Sequence, residues 1–116
     1  MIERRNHPRV KVSHPALYVG ESYHTPRVAT TVDLSLGGAR IETPYSLIPG
    51  ERLQISIAVH PQVIQCRGTV VRSLELTGER RRGGARYEAG VRFEEMSLHD
   101  RHHLSRHITR IMEPWN

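Results

Sequence analysis

The chain has 116 residues and a formal net charge of +5, with a sequence pI near 10.1. That length excludes a second hydrophobic core, the single cysteine, Cys66, excludes an internal disulfide, and no run approaches the roughly 18 apolar residues of a membrane span. The positive balance favours anionic partners as a class, whether phosphates, nucleic acids or anionic membranes, without choosing among them.

Residues 1–13 are basic and polar, and His7 is biased toward extended backbone because it precedes Pro8. They are expected to form a flexible N-terminal arm ahead of a domain over 14–112, with 113–116 as a tail. Ala16–Val19 reads as a short strand ending at Gly20, and Glu21–Pro26 carries turn chemistry. From Val28 the residues alternate. Val28, Thr30, Val32 and Leu34 share one face, and Ala29, Thr31, Asp33 and Ser35 share the other. With Val28, Val32 and Leu34 turned to the core, Asp33 and Ser35 are expected to project together from the outer side. Gly37 and Gly38 are expected to reverse the chain with positive φ. Ala39–Thr43 then returns with Ala39 and Ile41 on one face and Arg40 and Glu42 on the other, so Arg40 joins the polar side.

Pro44–Gly50 is a loop, after which Leu53, Ile55, Ile57 and Val59 alternate with polar or small residues as a half-buried strand. His60-Pro61-Gln62 turns the chain into a long strand over Val63–Leu76, where Gly68 predicts a bulge or bend. Arg80-Arg81-Arg82 marks an exposed basic hairpin tip, and Arg86–Glu94 resumes the strand with Tyr87, Ala89, Val91 and Phe93 on one face. Ser97 can cap a helix with Asp100 in capping-box position, and Leu104, Ile108 and Ile111 give it an apolar stripe until Pro114 stops it. The fold class is therefore mainly β: a six-stranded antiparallel β-barrel, closed or nearly closed, with one C-terminal α-helix covering an open end or seam.

Every basic residue except Lys11 is arginine. Arg-rich codon usage is the plain alternative for the bulk of that count, but it does not explain Arg5 and Arg9 at an Arg-x-x-x-Arg spacing with Pro8 between them. A guanidinium can fork onto phosphate oxygens or the O6/N7 edge of guanine, or stack on a purine, none of which lysine does as well. Asp33-x-Ser35-x-x-Gly38, taken alone, is also ordinary turn chemistry. Cys66 sits in an apolar run as a buried thiol. His99, His103 and His107 form a stripe flanking the apolar face of the helix, a semi-exposed border rather than a metal site. No nucleophile–base pair, carboxylate pair or phosphate-binding glycine loop stands at a telling spacing, so no enzyme, cofactor or metal is expected.

Taken together, Arg5-x-x-x-Arg9 and Asp33-x-Ser35-x-x-Gly38, in that order within a six-strand-plus-helix pattern, resemble the PilZ domain. That family comprises small β-barrel receptors for the bacterial second messenger cyclic di-GMP, and the resemblance covers Arg4 to about Ile111. It implies cyclic di-GMP as ligand, bound by Arg5, Arg9, Asp33, Ser35 and Gly38; beside these, Arg4 as the adjacent phosphate contact, Gly37 in the loop and Arg40 on the polar side are expected to contribute. The arginines would clasp guanine and phosphate, Asp33 would accept from the guanine N1–H and N2–H₂, Ser35 would bond an exposed acceptor, and Gly38 would let the backbone approach. It further implies a cytoplasmic monomer or weak dimer that signals to an unidentified downstream protein in motility or biofilm control. The alternatives are a PilZ-fold interaction module that does not bind the nucleotide and a basic nucleic-acid-binding module. The second is disfavoured by the scarcity of stacking aromatics, with one Phe and one Trp.

Overall fold

Alternating branched and polar residues build six strands, β1 (Val10–Gly20), β2 (Arg27–Leu34), β3 (Gly38–Thr43), β4 (Arg52–Val59), β5 (Gln62–Leu76) and β6 (Arg86–Met96), followed by one helix, α1 (Leu98–Met112). The structure is a computed structural model and describes residues 7–77 and 84–113. The strands close into an antiparallel barrel in the order β1-β2-β3-β6-β5-β4, with β1 pairing β4 to complete the ring. Closure gives every strand a partner on both sides over part of its length, which limits the edge that could template aggregation. The tip arginines Arg80, Arg81 and Arg82, and Pro114, lie outside the described residues.

The expected alternation in β4 is observed: Leu53, Ile55, Ile57 and Val59 are each no more than 2% exposed. Ala39, Ile41 and Thr43 of β3 and Ala89 and Val91 of β6 face them. Removing a side chain such as Ile57 from water contributes roughly 1.5–3 kcal/mol, so these rows hold the barrel together. Polar Thr43 is tolerated inside because its hydroxyl donates to the Val28 carbonyl at 2.9 Å and accepts from the Tyr18 phenol at 3.0 Å.

Two strand expectations require correction and a third, the bend in β5, is observed. β1 begins at Val10 rather than at Ala16, because buried Val10 pairs with Leu34 and Lys11 with Asp33, so residues 10–13, expected in the arm, belong to this strand. In β2, Val28 is 57% exposed, and Ala29 and Thr31 face the core instead. A register shift between Thr31 and Asp33 in the β2–β3 ladder then changes the phase, which is how Leu34 nevertheless points inward. In β5 the predicted bend is present, with register shifts against β6 between Arg67 and Gly68 and between Val70 and Arg72. A Cβ at Gly68 would stand 2.7 Å from the Arg92 carbonyl oxygen, so glycine is needed for close strand approach there.

The helix starts as expected, Ser97 Oγ accepting from the Asp100 amide at 3.1 Å. The capping box is not reciprocal, since the Asp100 carboxylate accepts instead from the Gln65 amide of β5 at 3.0 Å. Leu104 and Ile108 are buried against the barrel, whereas Ile111 is 41% exposed, because the last turn runs past the core. The histidine stripe fastens the helix to the barrel. His99 Nε2 meets Gln62 Oε1 at 3.1 Å, His103 Nε2 meets the Val59 carbonyl at 2.7 Å, and His107 Nε2 meets His14 Nε2 at 3.0 Å.

Candidate functional site

The end of β2 brings a carboxylate between two guanidiniums. Asp33 lies opposite Arg40 in the β2–β3 ladder and opposite Lys11 in the β1–β2 ladder. Asp33 Oδ2 is 3.5 Å from Arg40 Nη2 and 3.8 Å from Arg9 Nη1, and Arg40 Nη1 reaches Glu88 Oε1 of β6 at 3.6 Å. The two carboxylates are largely covered, with side-chain exposures of 14% and 12%, while Arg9 retains 43%. Asp33 Oδ1 and Arg40 Nε are both buried without a hydrogen-bond partner among the described residues. An unmet buried polar group costs about 1–3 kcal/mol, so the cluster favours any polar partner that reaches this acceptor and this donor.

The loop after β2 is organised by Ser35. Its hydroxyl accepts from the amides of Gly37 and Gly38, each at 3.1 Å, and donates to the Gly38 carbonyl at 3.3 Å, while its own amide donates to that same carbonyl at 2.9 Å. One donor and two acceptor sites are thereby filled, which exhausts a serine hydroxyl. Ser35 is only 6% exposed, so the expectation that it projects outward beside Asp33 is corrected. β2 ends at Leu34, and beyond it the strand alternation no longer decides where a side chain points.

Neither Gly37 nor Gly38 has positive φ; among the described residues only Gly50 and Gly84 do. Gly38 is required for packing instead, since a Cβ there would overlap the Val91 carbonyl oxygen of β6. At Gly37 a Cβ would stand 3.1 Å from His7 Cδ2, so the imidazole of the arm lies over this glycine. The Gly37 carbonyl in turn accepts from the Phe93 amide at 2.9 Å, tying the loop to β6.

Of the sequence-predicted residues, Arg9, Asp33 and Arg40 meet in one cluster, and Ser35, Gly37 and Gly38 form the adjoining loop. Arg4 and Arg5 lie outside the described residues. Two neighbours escaped the sequence reading. Glu88 is an outward residue of β6 whose proximity to Arg40 follows from the non-consecutive β3–β6 pairing, which no local pattern reveals. His7 stands inside the Arg5-x-x-x-Arg9 spacing, and that position was its only signal. Next to the loop, Pro8 and Leu36 line a groove of about 310 Å³ with Ile108 and Met112 of α1, so the arm, the loop and the helix border one another.

The arrangement presents cationic forks and a preplaced carboxylate acceptor at a surface. The chain matches the PilZ domain family over residues 3–110. A search of curated proteins found no match. Among solved structures it is similar to the inhibitor of motility MotI/DgrA of Bacillus subtilis (TM-score 0.74, 19% identity), covering 99% of this chain and 55% of that one. It is also similar to the PilZ domain of YcgR from Escherichia coli, solved with c-di-GMP (TM-score 0.73, 17% identity, 97% and 94% of the two chains). A third is the PilZ domain of CeSA from a cellulose-synthesizing bacterium (TM-score 0.61, 16% identity, 90% and 98%). The chain thus spans about half the length of MotI and nearly the whole of the two isolated domains.

Proposed function

Because the chain belongs to the PilZ domain family, we propose that it is a receptor for cyclic di-GMP that signals to a partner protein. The observation that carries this reading is the Asp33 carboxylate, held between Arg9 and Arg40 with one oxygen buried and, among the described residues, unpartnered. A guanine presents N1–H and N2–H₂ as adjacent donors, which suits a carboxylate whose two oxygens are fixed by its neighbours. Arg9 is the mobile element of the cluster. An exposed ion pair contributes about 0–1 kcal/mol, so swinging the Arg9 guanidinium from Asp33 onto a phosphate or a guanine edge costs little and opens the carboxylate.

In this reading Arg5 joins Arg9 in clasping the ligand and Arg4 adds a phosphate contact. Ser35, Gly37 and Gly38 act by fixing the loop, and Arg40 acts by holding Asp33 in place. Charge-assisted hydrogen bonds contribute roughly 1.5–3 kcal/mol each, so three or four of them reach the approximately 8 kcal/mol of a micromolar complex. The role is binding rather than catalysis, in the cytoplasm, with ordering of the arm as the signal to an unidentified partner of a monomeric or weakly dimeric receptor. Among the described residues no helix is long and apolar enough to cross a membrane.

Calorimetry with cyclic di-GMP, cyclic di-AMP and GTP tests this. Saturable binding of cyclic di-GMP alone is the expected result. Silence at hundreds of micromolar, where a complex of about 5 kcal/mol is still detected, would sink the reading in favour of a nucleotide-independent interaction module.

A further inference from the structure

Between α1 and the turn joining β4 to β5 lies a groove of about 330 Å³. His60, Gln62, His102, Arg106, His107 and Arg110 line it, and no carboxylate is among its lining residues. Arg106 and Arg110 are exposed and stand one helical turn apart, with Glu113 beside them in the adjoining groove. Asp100, the acidic residue in the first turn of the helix, is engaged by the Gln65 amide. The platform is rigid, since His99, His103 and His107 each anchor the helix to the barrel. No residue of the Arg9–Asp33–Arg40 cluster takes part.

We propose that this groove is a docking site for an acidic peptide segment of a partner protein. The argument is charge complementarity with matching spacing. Two guanidiniums at i and i+4 project from neighbouring positions on one helix face, where each can take a carboxylate bidentately, and the imidazoles beside them add hydrogen-bond donors. Size and composition select a peptide over nucleic acid: the groove admits a few side chains rather than a duplex, and no Trp, Tyr or Phe lines it as a base-stacking platform. The site does not depend on the nucleotide reading, and it gives the receptor a second surface through which to meet a partner.

Fluorescence anisotropy of a short labelled polyglutamate peptide against the intact chain at low ionic strength tests the proposal. Saturable binding is expected, weakened at least about tenfold, or 1.4 kcal/mol, in the R106A/R110A variant. Arg101→Ala, on the same helix but outside the groove, is the control and should bind as the unmodified chain does. Thermal melting verifies folding, and cyclic di-GMP calorimetry on the same variants separates this site from the nucleotide site. Absence of binding, equal losses in R101A and R106A/R110A, or displacement of the peptide by lower concentrations of duplex DNA would each overturn it.

Discussion

Arg9 Nη1 stands 3.8 Å from Asp33 Oδ2, so the last arginine of the N-terminal arm already touches the carboxylate at the end of β2. The contact is long for a charge-assisted hydrogen bond and half exposed on the arginine side, which makes it a resting position rather than a structural tie. Arg9→Ala is therefore expected to leave the melting temperature within a few degrees of the unmodified chain while weakening cyclic di-GMP at least about tenfold. Calorimetry showing undiminished affinity in the folded variant would remove Arg9 from the site.

Ser35→Ala should act through the loop. The substitution strands the amides of Gly37 and Gly38, which both donate to Ser35 Oγ. A loss of about 1–3 kcal/mol in urea unfolding is expected, with weaker ligand binding as a consequence. Unchanged stability together with reduced affinity would instead make the hydroxyl a direct ligand contact.

The glycines divide sharply in what a methyl group would meet. Gly38→Ala drives a Cβ into the Val91 carbonyl and must push β3 away from β6, at a cost of about 3 kcal/mol or more. Gly90→Ala, in β6, meets the Val71 side chain at an ordinary 3.5 Å and should change stability by less than about 1 kcal/mol. Equal effects in denaturant titrations would contradict the close β3–β6 approach.

Acid should loosen the helix. Burial pushes the His14 imidazole below the ordinary 6.5, opposed by a hydrogen bond with the Ser13 backbone, and burial aided by the charges of His14, His103 and Arg110 lowers His107 as well. Their Nε2 atoms, 3.0 Å apart, need one proton between them, one nitrogen donating and the other accepting. The unfolded chain takes up protons near pH 6.5 and the folded chain only below it. The pair's stabilisation is thus present above 6.5 and is lost as the pH falls through the depressed values. The melting temperature should drop between pH 7.5 and 5, and by less in a His14→Gln/His107→Gln double variant; an equal drop would exclude the pair as the cause.

Burial, with Asp100 nearby, pushes the Cys66 thiol up to about 12. A thiol so far from its thiolate is a poor nucleophile, so a disulfide reagent at neutral pH should modify the protein only as fast as it unfolds. Rapid modification of the native protein would contradict the packing around β5.

The sequence by itself determined the strand count, the barrel with its terminal helix, the inward rows of β3, β4 and β6, the bend at Gly68 and the Ser97 cap. Each of these rests on a period, a capping residue or a glycine acting over a few neighbouring positions. Tertiary structure alone decided the rest. The inward face of β2 was misread because a one-residue register shift against β3 reverses the alternation, and no residue in β2 announces its partner's offset. Gly37 and Gly38 lack the positive φ of a tight reversal, and the need for glycine at 38 comes from β6, more than fifty residues away in the chain. Glu88 joined Arg40, and His107 joined His14, for the same reason: barrel closure sets distant strands and the helix side by side, and long-range pairing leaves no local trace in the sequence.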